Sequence, residues 1–262
     1  MKKVFSFVIG LCLSVGAFAQ VFGPDVDLDF ELGESPFTLA PVSYFYFGFN
    51  GITGAPAKLS SQMSFSRSQQ MGINLVELAV NPFEGGRFSL GLDFSANWYR
   101  LGKEYMWYPY YMFNNQPIPS ENGLFVDYTL AGDLGITEVK SSYLSVYSFG
   151  VPLTFSYSFG KITLALGGTV EVNFDGLTGF KGVAYGGEAV DYRRSGLYYS
   201  KKIGVNRVTF NVHAAVSYGG LGFFAKFSPV SKFYKGLIDE KEVVCGPQFQ
   251  TWTVGLILGL GM

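Results

Sequence analysis

The sequence predicts an all-β chain closed into an eight-stranded antiparallel up-and-down transmembrane β-barrel. Three observations carry that expectation: a period-two alternation of apolar and polar residues, a secretory leader, and a strict alternation of short turns with long links. The alternation is clearest over 87–100, where Phe88, Leu90, Leu92, Phe94, Ala96 and Trp98 are interleaved with Ser89, Gly91, Asp93, Ser95, Asn97 and Tyr99. Successive side chains of a strand point to opposite faces, so this segment has one greasy wall and one wet wall.

The N-terminus sets the compartment. Lys2 and Lys3 precede an apolar run from Val4 to Val15 and the small-x-small ending Ala17-Phe18-Ala19, the pattern of a signal peptide at 1–19 cleaved after Ala19. Leu11 before Cys12 argues against a lipoprotein signal, which needs a small residue there. Without the leader the chain keeps one cysteine, Cys245, which excludes an internal disulfide framework. Loss of Lys2 and Lys3 leaves 17 basic against 20 acidic residues, a net charge of about −3, and no basic run, so nucleic acid is not an expected partner. Hydrophobic residues make up 48% of the chain, aromatic residues 18% and charged residues only 15%, whereas a soluble domain is about a quarter charged.

After the leader, the longest apolar run, 254–262, is nine residues with three glycines, well short of the ~18 that a spanning helix needs. An exported apolar chain of this kind reaches a membrane by closing a barrel, which satisfies every backbone N–H and C=O without water. The predicted strands, in order, are 42–50, 70–80, 87–100, 148–159, 161–174, 205–218, 221–230 and 252–262. The outer face of the second is either Ile73 and Leu75 or Val76, Leu78 and Val80, and either choice leaves Glu77 or Asn74 awkward unless a bulge changes the register. Pro152, which lacks a backbone donor, marks a further irregularity in the fourth. The fifth sets Ile162, Leu164, Leu166, Val170, Val172 and Phe174 against Lys161, Thr163, Thr169, Glu171 and Asn173. The sixth and eighth repeat the pattern.

NPFEGGR, Gly160 and Gly219-Gly220 are tight turns, whereas 51–69, 101–140, 175–203 and 231–248 are long. This is the arrangement of periplasmic turns and extracellular loops, with 20–41 as an N-terminal periplasmic segment and 42–262 as the barrel. Trp98 and Trp252 then fall near one interface, and Tyr157, Phe159 and Tyr218 near the other. The competing reading, a soluble barrel with its faces exchanged, would force large Phe, Leu and Val into an interior too small for them.

These features resemble the PorT-like small outer-membrane β-barrels of Gram-negative bacteria, related in architecture to the OmpA and OmpX transmembrane domains. The resemblance rests on SYFYFGFNG, FSLGLDFSANWYRL, VPLTFSY, LGFFAKFSP and GPQFQTWTVGLILGL, and departs from the common pattern in ending on Met262 rather than Phe or Trp. It implies an integral outer-membrane protein of the cell envelope in contact with lipid and lipopolysaccharide.

Parity places Asp93, Glu171, Arg207, His213 and Lys226 in the lumen, where side chains are expected to fill the space as a paired polar network. His213 is the lone histidine, and no nucleophile or carboxylate is spaced to work with it, so no enzyme is expected: neither catalytic residues nor a cofactor or metal site. A lipid-modifying barrel enzyme is the least favoured alternative. Asp25, Asp27, Asp29 and Glu31 share one side of an extended segment, without the glycine-enforced turn and distal glutamate of a calcium loop. They suit a solvated arm or a partner-docking strand, and a secretion or assembly component acting through this periplasmic side is the alternative function.

The favoured expectation places binding of an envelope protein or external ligand on the extracellular loops. Tyr105, Trp107, Tyr108, Tyr110 and Tyr111 form one aromatic cluster, and Arg193 and Arg194 alternate with tyrosines in a second loop. Cys245 has no basic neighbour in sequence to activate it and is expected to be inert.

Overall fold

The computed structural model describes residues 37–102, 104–119, 125–191, 203–238 and 241–260. The signal peptide, the acidic run at 25–31 and the Arg193-Arg194 segment lie outside the described residues.

Long alternating segments pair because each presents one apolar and one polar face to its neighbours, and pairing leaves no orphan backbone groups within the ladder. The principal strands are β2 (Phe45–Thr53), β3 (Gln69–Phe83), β4 (Gly86–Arg100), β8 (Ile136–Phe159), β9 (Ile162–Ala184), β11 (Val208–Tyr218), β12 (Leu221–Ser228) and β15 (Gln250–Leu258). Each is antiparallel to the next in chain order, and β15 returns to β2 through Gln250↔Thr53 to Leu258↔Phe45. Among the described residues these eight strands therefore form one closed ring with up-and-down connectivity.

The β3–β4 register shifts between Asn74 and Val76, the bulge that the sequence requires. The extra residue puts both Asn74 and Glu77 on the buried side and leaves Leu78 exposed on the other. The β11–β12 turn uses Gly219 and Gly220 at φ 58° and 85°, the left-handed pair that a two-residue hairpin matching strand twist demands.

Two features exceed the sequence reading. Phe37–Pro41, assigned by sequence to the N-terminal segment, forms β1 and pairs with Val76–Val80 of β3, on the edge of β3 that β2 leaves free beyond Ile73. The β1–β2 junction contains Val42 at φ 50°, so one kinked strand is split in two. Elsewhere in the ring, β8 and β9 run for 24 and 23 residues, about twice the ~9 to 11 that a tilted strand needs to cross a bilayer. Their surplus length supports a three-stranded sheet of β5 (Tyr105–Phe113), β6 (Gln116–Pro119) and β7 (Phe125–Leu130). The short β10 (Ala189–Asp191) pairs back onto the end of β9, and a hairpin of β13 (Lys235–Ile238) and β14 (Lys241–Val244) stands on the last long link.

The core sits at this long-loop end. Helix α1 (Ala57–Gln62) contributes Leu59, the strands contribute Tyr99, Leu144 and Val146, and the links contribute Trp107, Ile203, Phe233 and Phe249 to one buried cluster. Trp107 is 1% exposed and its Nε1 donates to the Tyr99 carbonyl at 3.0 Å, which ties the loop sheet to β4. Trp107→Ala should lower stability by about 3–5 kcal/mol, the usual cost of emptying a buried aromatic site. A denaturant midpoint shift reads this loss, and an unchanged midpoint would mean that the cluster does not hold the loops.

Candidate functional site: a three-layered lumen

Inward positions of the ring change character along its axis. At the long-loop end they are the apolar cluster just described. In the middle they are polar: Asn50, Gln70, Ser95, Asn97, Ser148, Asn173, Thr209, Asn211 and Thr253 are all buried. Thr253 Oγ1 donates to Asn50 Oδ1 at 2.6 Å, and Asn50 Nδ2 donates to Asn97 Oδ1 at 3.4 Å, so hydrogen bonds cross β15, β2 and β4. Ser148 Oγ donates to Asn173 Oδ1 at 2.5 Å and Asn173 Nδ2 to Thr209 Oγ1 at 3.4 Å on the far side of the ring.

Glu171 anchors this layer. Its Oε1 is ion-paired with Lys226, and its Oε2 lies 3.9 Å from Lys232 Nζ and accepts from Thr209 Oγ1 at 3.5 Å. Burying a carboxylate and two ammonium groups is costly unless they compensate one another, which this geometry does. Asp93 accepts from Asn74 Nδ2 at 2.6 Å and from the Tyr44 hydroxyl at 3.4 Å. His213 lies between Thr154 Oγ1, 3.1 Å from Nε2, and Thr169 Oγ1, 3.3 Å from Nδ1.

Of the residues that parity places in the lumen, the structure brings Asp93, Glu171, His213 and Lys226 to the interior. It corrects Arg207, which is exposed. The parity of β11 extrapolates to an inward residue 207, but the strand begins at Val208, and the bend before it turns the guanidinium out. Lys232, beyond the end of β12, supplies the second cation instead. No alternation extends to it, and the one trace it leaves in the sequence is a lysine next to the aromatic pair Phe233-Tyr234.

The third layer corrects the expectation of a filled lumen. At the tight-turn end lies a cavity of about 1110 Å³, lined by Tyr44, Tyr46, Asp93, Thr154, His213 and Phe224 among others, and reaching the turn residues Gly85, Gly86, Gly219 and Gly220. An eight-stranded ring has just enough room for inward side chains to fill it. Here Ser89, Ser156, Ser158, Ala165 and Ala215 are too small to do so. The Arg87–Glu77 ion pair, at 2.8 Å, borders this space.

The aromatic loop divides. Tyr105 and Trp107 are buried in the cap, which removes them from any binding surface. Tyr108 and Tyr110 stack at 6.1 Å, Tyr110 stacks on Phe125 at 5.5 Å, and Tyr111, Met112 and Phe113 are exposed at the hairpin tip. Asn114 and Asn115, both at positive φ, make that tip a tight hairpin. Cys245 is 4% exposed and burial pushes its thiol up from its ordinary range. Among the described residues no group of three or more His, Cys, Asp and Glu could hold a metal ion.

The fold and lumen define a class: an all-β chain whose eight principal antiparallel strands pair in a closed ring, capped at one end and hollow at the other. No protein-family model matches the chain and no curated protein matches it. Similar solved structures include Neisserial surface protein A, 9% identical with a TM-score of 0.34 over 86% of this chain and 98% of that one. A mutant Rh. blastica porin is 10% identical with a TM-score of 0.13 over 85% and 99%. At such scores the likeness carries no weight, and the barrel rests on its own closed ladder.

Glu171→Gln should cost about 3–5 kcal/mol, because it strands two buried ammonium groups. The urea midpoint checks it, and Lys226→Met combined with Glu171→Gln should recover part of the loss; a neutral single variant contradicts the network. The Cys245 thiol should react slowly with a disulfide reagent in the folded protein and rapidly once the protein is denatured. Equal rates in the two states would place Cys245 at the surface.

Proposed function

We propose that the chain is an integral, non-enzymatic, non-conducting outer-membrane β-barrel of the PorT-like kind, exported by cleavage near Ala19. Its loop hairpin binds an envelope or external partner. The observation that supports membrane residence is the outer face of the ring. Phe47, Leu90, Leu153, Leu166, Phe210, Phe223 and Leu256, on seven of the strands, are all at least 41% exposed, and Leu78 on the eighth is 43% exposed. A soluble monomer rarely exposes one contiguous apolar patch beyond a few hundred Å², and a belt around an entire ring suits hydrocarbon.

The apolar plug and the polar layer beneath it support the non-conducting part of the reading, since together they occupy the axis between the cavity and the loops. The exposed Tyr111, Met112 and Phe113 at the β5–β6 tip support the binding part, because rigid aromatic groups on a tight hairpin give contact area at little entropic cost. Lipid and lipopolysaccharide are the surroundings of the belt in this reading.

Unboiled protein folded in lipid should migrate differently on electrophoresis from boiled protein, and vesicles containing it should not admit glucose. A soluble, unshifted band would overturn the membrane assignment, and rapid swelling in glucose would overturn the sealed lumen. Met112→Ser with Phe113→Ser should keep the gel shift and lose the partner cross-linked to intact cells. Full retention of that partner would move the binding surface elsewhere.

A further inference from the structure

The cavity at the tight-turn end has two chemically different walls, and the ring order sets them face to face. Around the ring the strands run β3, β2, β15, β12, β11, β9, β8, β4, so β2, β15 and β12 stand diametrically opposite β9, β8 and β4. The first trio breaks the polar rule of the lumen. Tyr46 on β2, Ile257 on β15 and Phe224 on β12 are inward, buried and in mutual contact, with Tyr44 and Leu260 packed against them. Tyr46 is paired in register with Ile257, and its ring meets Phe224 edge-on at 5.4 Å. Gly72 on β3 lies beneath the Tyr46 ring, where any Cβ would collide with it, so the platform has a fixed seat.

The opposite trio presents hydroxyls to the same cavity: Ser89 on β4, Thr154, Ser156 and Ser158 on β8, and Thr169 on β9. Tyr46, Phe224 and Ile257 are mostly covered by one another, and the 6–8% of their surface left open faces the cavity as an apolar wall. A wall of apolar groups facing a wall of hydrogen-bonding groups is the composition of a small-molecule site, and about 1110 Å³ lies just above the usual ~300–1,000 Å³.

Charge narrows the ligand. Arg87 is paired with Glu77, and Lys226 with Glu171. Asp93 is held by Asn74 and Tyr44, and His213 by two threonine hydroxyls. Lys226 and Lys232 on one side and Glu171 and Asp93 on the other balance within the interior. An anionic guest would lose its hydration and find Arg87 and Lys226 already ion-paired, and a cationic one would have to displace the Asn74 and Tyr44 hydrogen bonds that hold Asp93.

We infer that this vestibule is a binding site for a neutral amphiphile with an aromatic or short alkyl body and a hydroxyl-bearing head. The body lies on Tyr46, Phe224 and Ile257, and the head hydrogen-bonds to Thr154, Ser156 and Ser89. Entry is from the tight-turn end, because the plug seals the other. The inference rests on the membrane-barrel reading above and goes beyond it, since the loop hairpin has no part in it.

Phenyl β-glucoside has the required body and head and dissolves in water. Equilibrium dialysis against the barrel folded in lipid vesicles, corrected with empty vesicles, should show saturable binding. Glucose, benzylammonium and benzoate should bind at least about tenfold more weakly, ~1.4 kcal/mol or more. Phe224→Ser, and separately Thr154→Val with Ser156→Ala, should each weaken binding by about tenfold or more, while Glu138→Gln at an exposed position of β8 leaves it unchanged. Every variant is first checked for the heat-dependent gel shift.

Binding of the charged compounds as tightly as the glucoside, or undiminished binding by Phe224→Ser, overturns the site. A normal gel shift with no saturable binding refutes this inference alone. Absence of the shift in the unmodified protein refutes the barrel reading with it.

Discussion

Closure of the ladder is the constraint on which everything else depends. Once β15 pairs with β2 the ladder runs round the ring, β1 covers the stretch of β3 that β2 leaves, and each side chain is assigned by parity to an outer surface or an inner one. The outer surface is then free to be uniformly apolar, because no backbone group on it needs water. The inner surface must satisfy itself. The crossing hydrogen bonds from Thr253 through Asn50 to Asn97, and the pairing of Glu171 with Lys226 and Lys232, meet that requirement in the middle of the ring.

The inner surface is also where the protein departs from a simple wet-in, greasy-out rule, and it does so at both ends for different reasons. At the loop end the inward residues Tyr99, Leu144 and Val146 are apolar because β8 and β9 run on well past the tight-turn half of the ring, and loops fold back over them as a small hydrophobic core. At the turn end the inward Tyr46, Phe224 and Ile257 are apolar while residues across from them stay small and hydroxylic, so the ring is hollow there. The polar layer separates the two. The result is a cup with its mouth at the tight turns.

Much of this was legible in the sequence. Asp93 and its neighbours on β4 follow strict alternation, and the strand forms where the pattern begins and ends. The β3 bulge was legible too, because Asn74 and Glu77 share no parity and only an inserted residue reconciles them. Alternation fails where the strand does. Arg207 lies one residue before β11 and turns outward, and Lys232 reaches Glu171 from a link in which residue spacing implies no direction. The sequence does not decide whether Trp107 is surface or core, because aromatic residues in a polar loop suit both, and only the length of β8 and β9 shows that there is something for it to pack on. The vestibule was hidden for a related reason: an empty space is a sum over opposite strands, and no single strand's pattern records it.

The assignment of the two faces is tested most directly along β4. In a Cys245→Ser background, spin labels placed one at a time from position 88 to position 95 report collision with oxygen, which partitions into lipid. The account predicts high oxygen accessibility at 88, 90, 92 and 94 and low accessibility at 89, 91, 93 and 95, a period of two. A reversed phase, or a profile without alternation, would contradict a closed barrel whose greasy face meets the membrane.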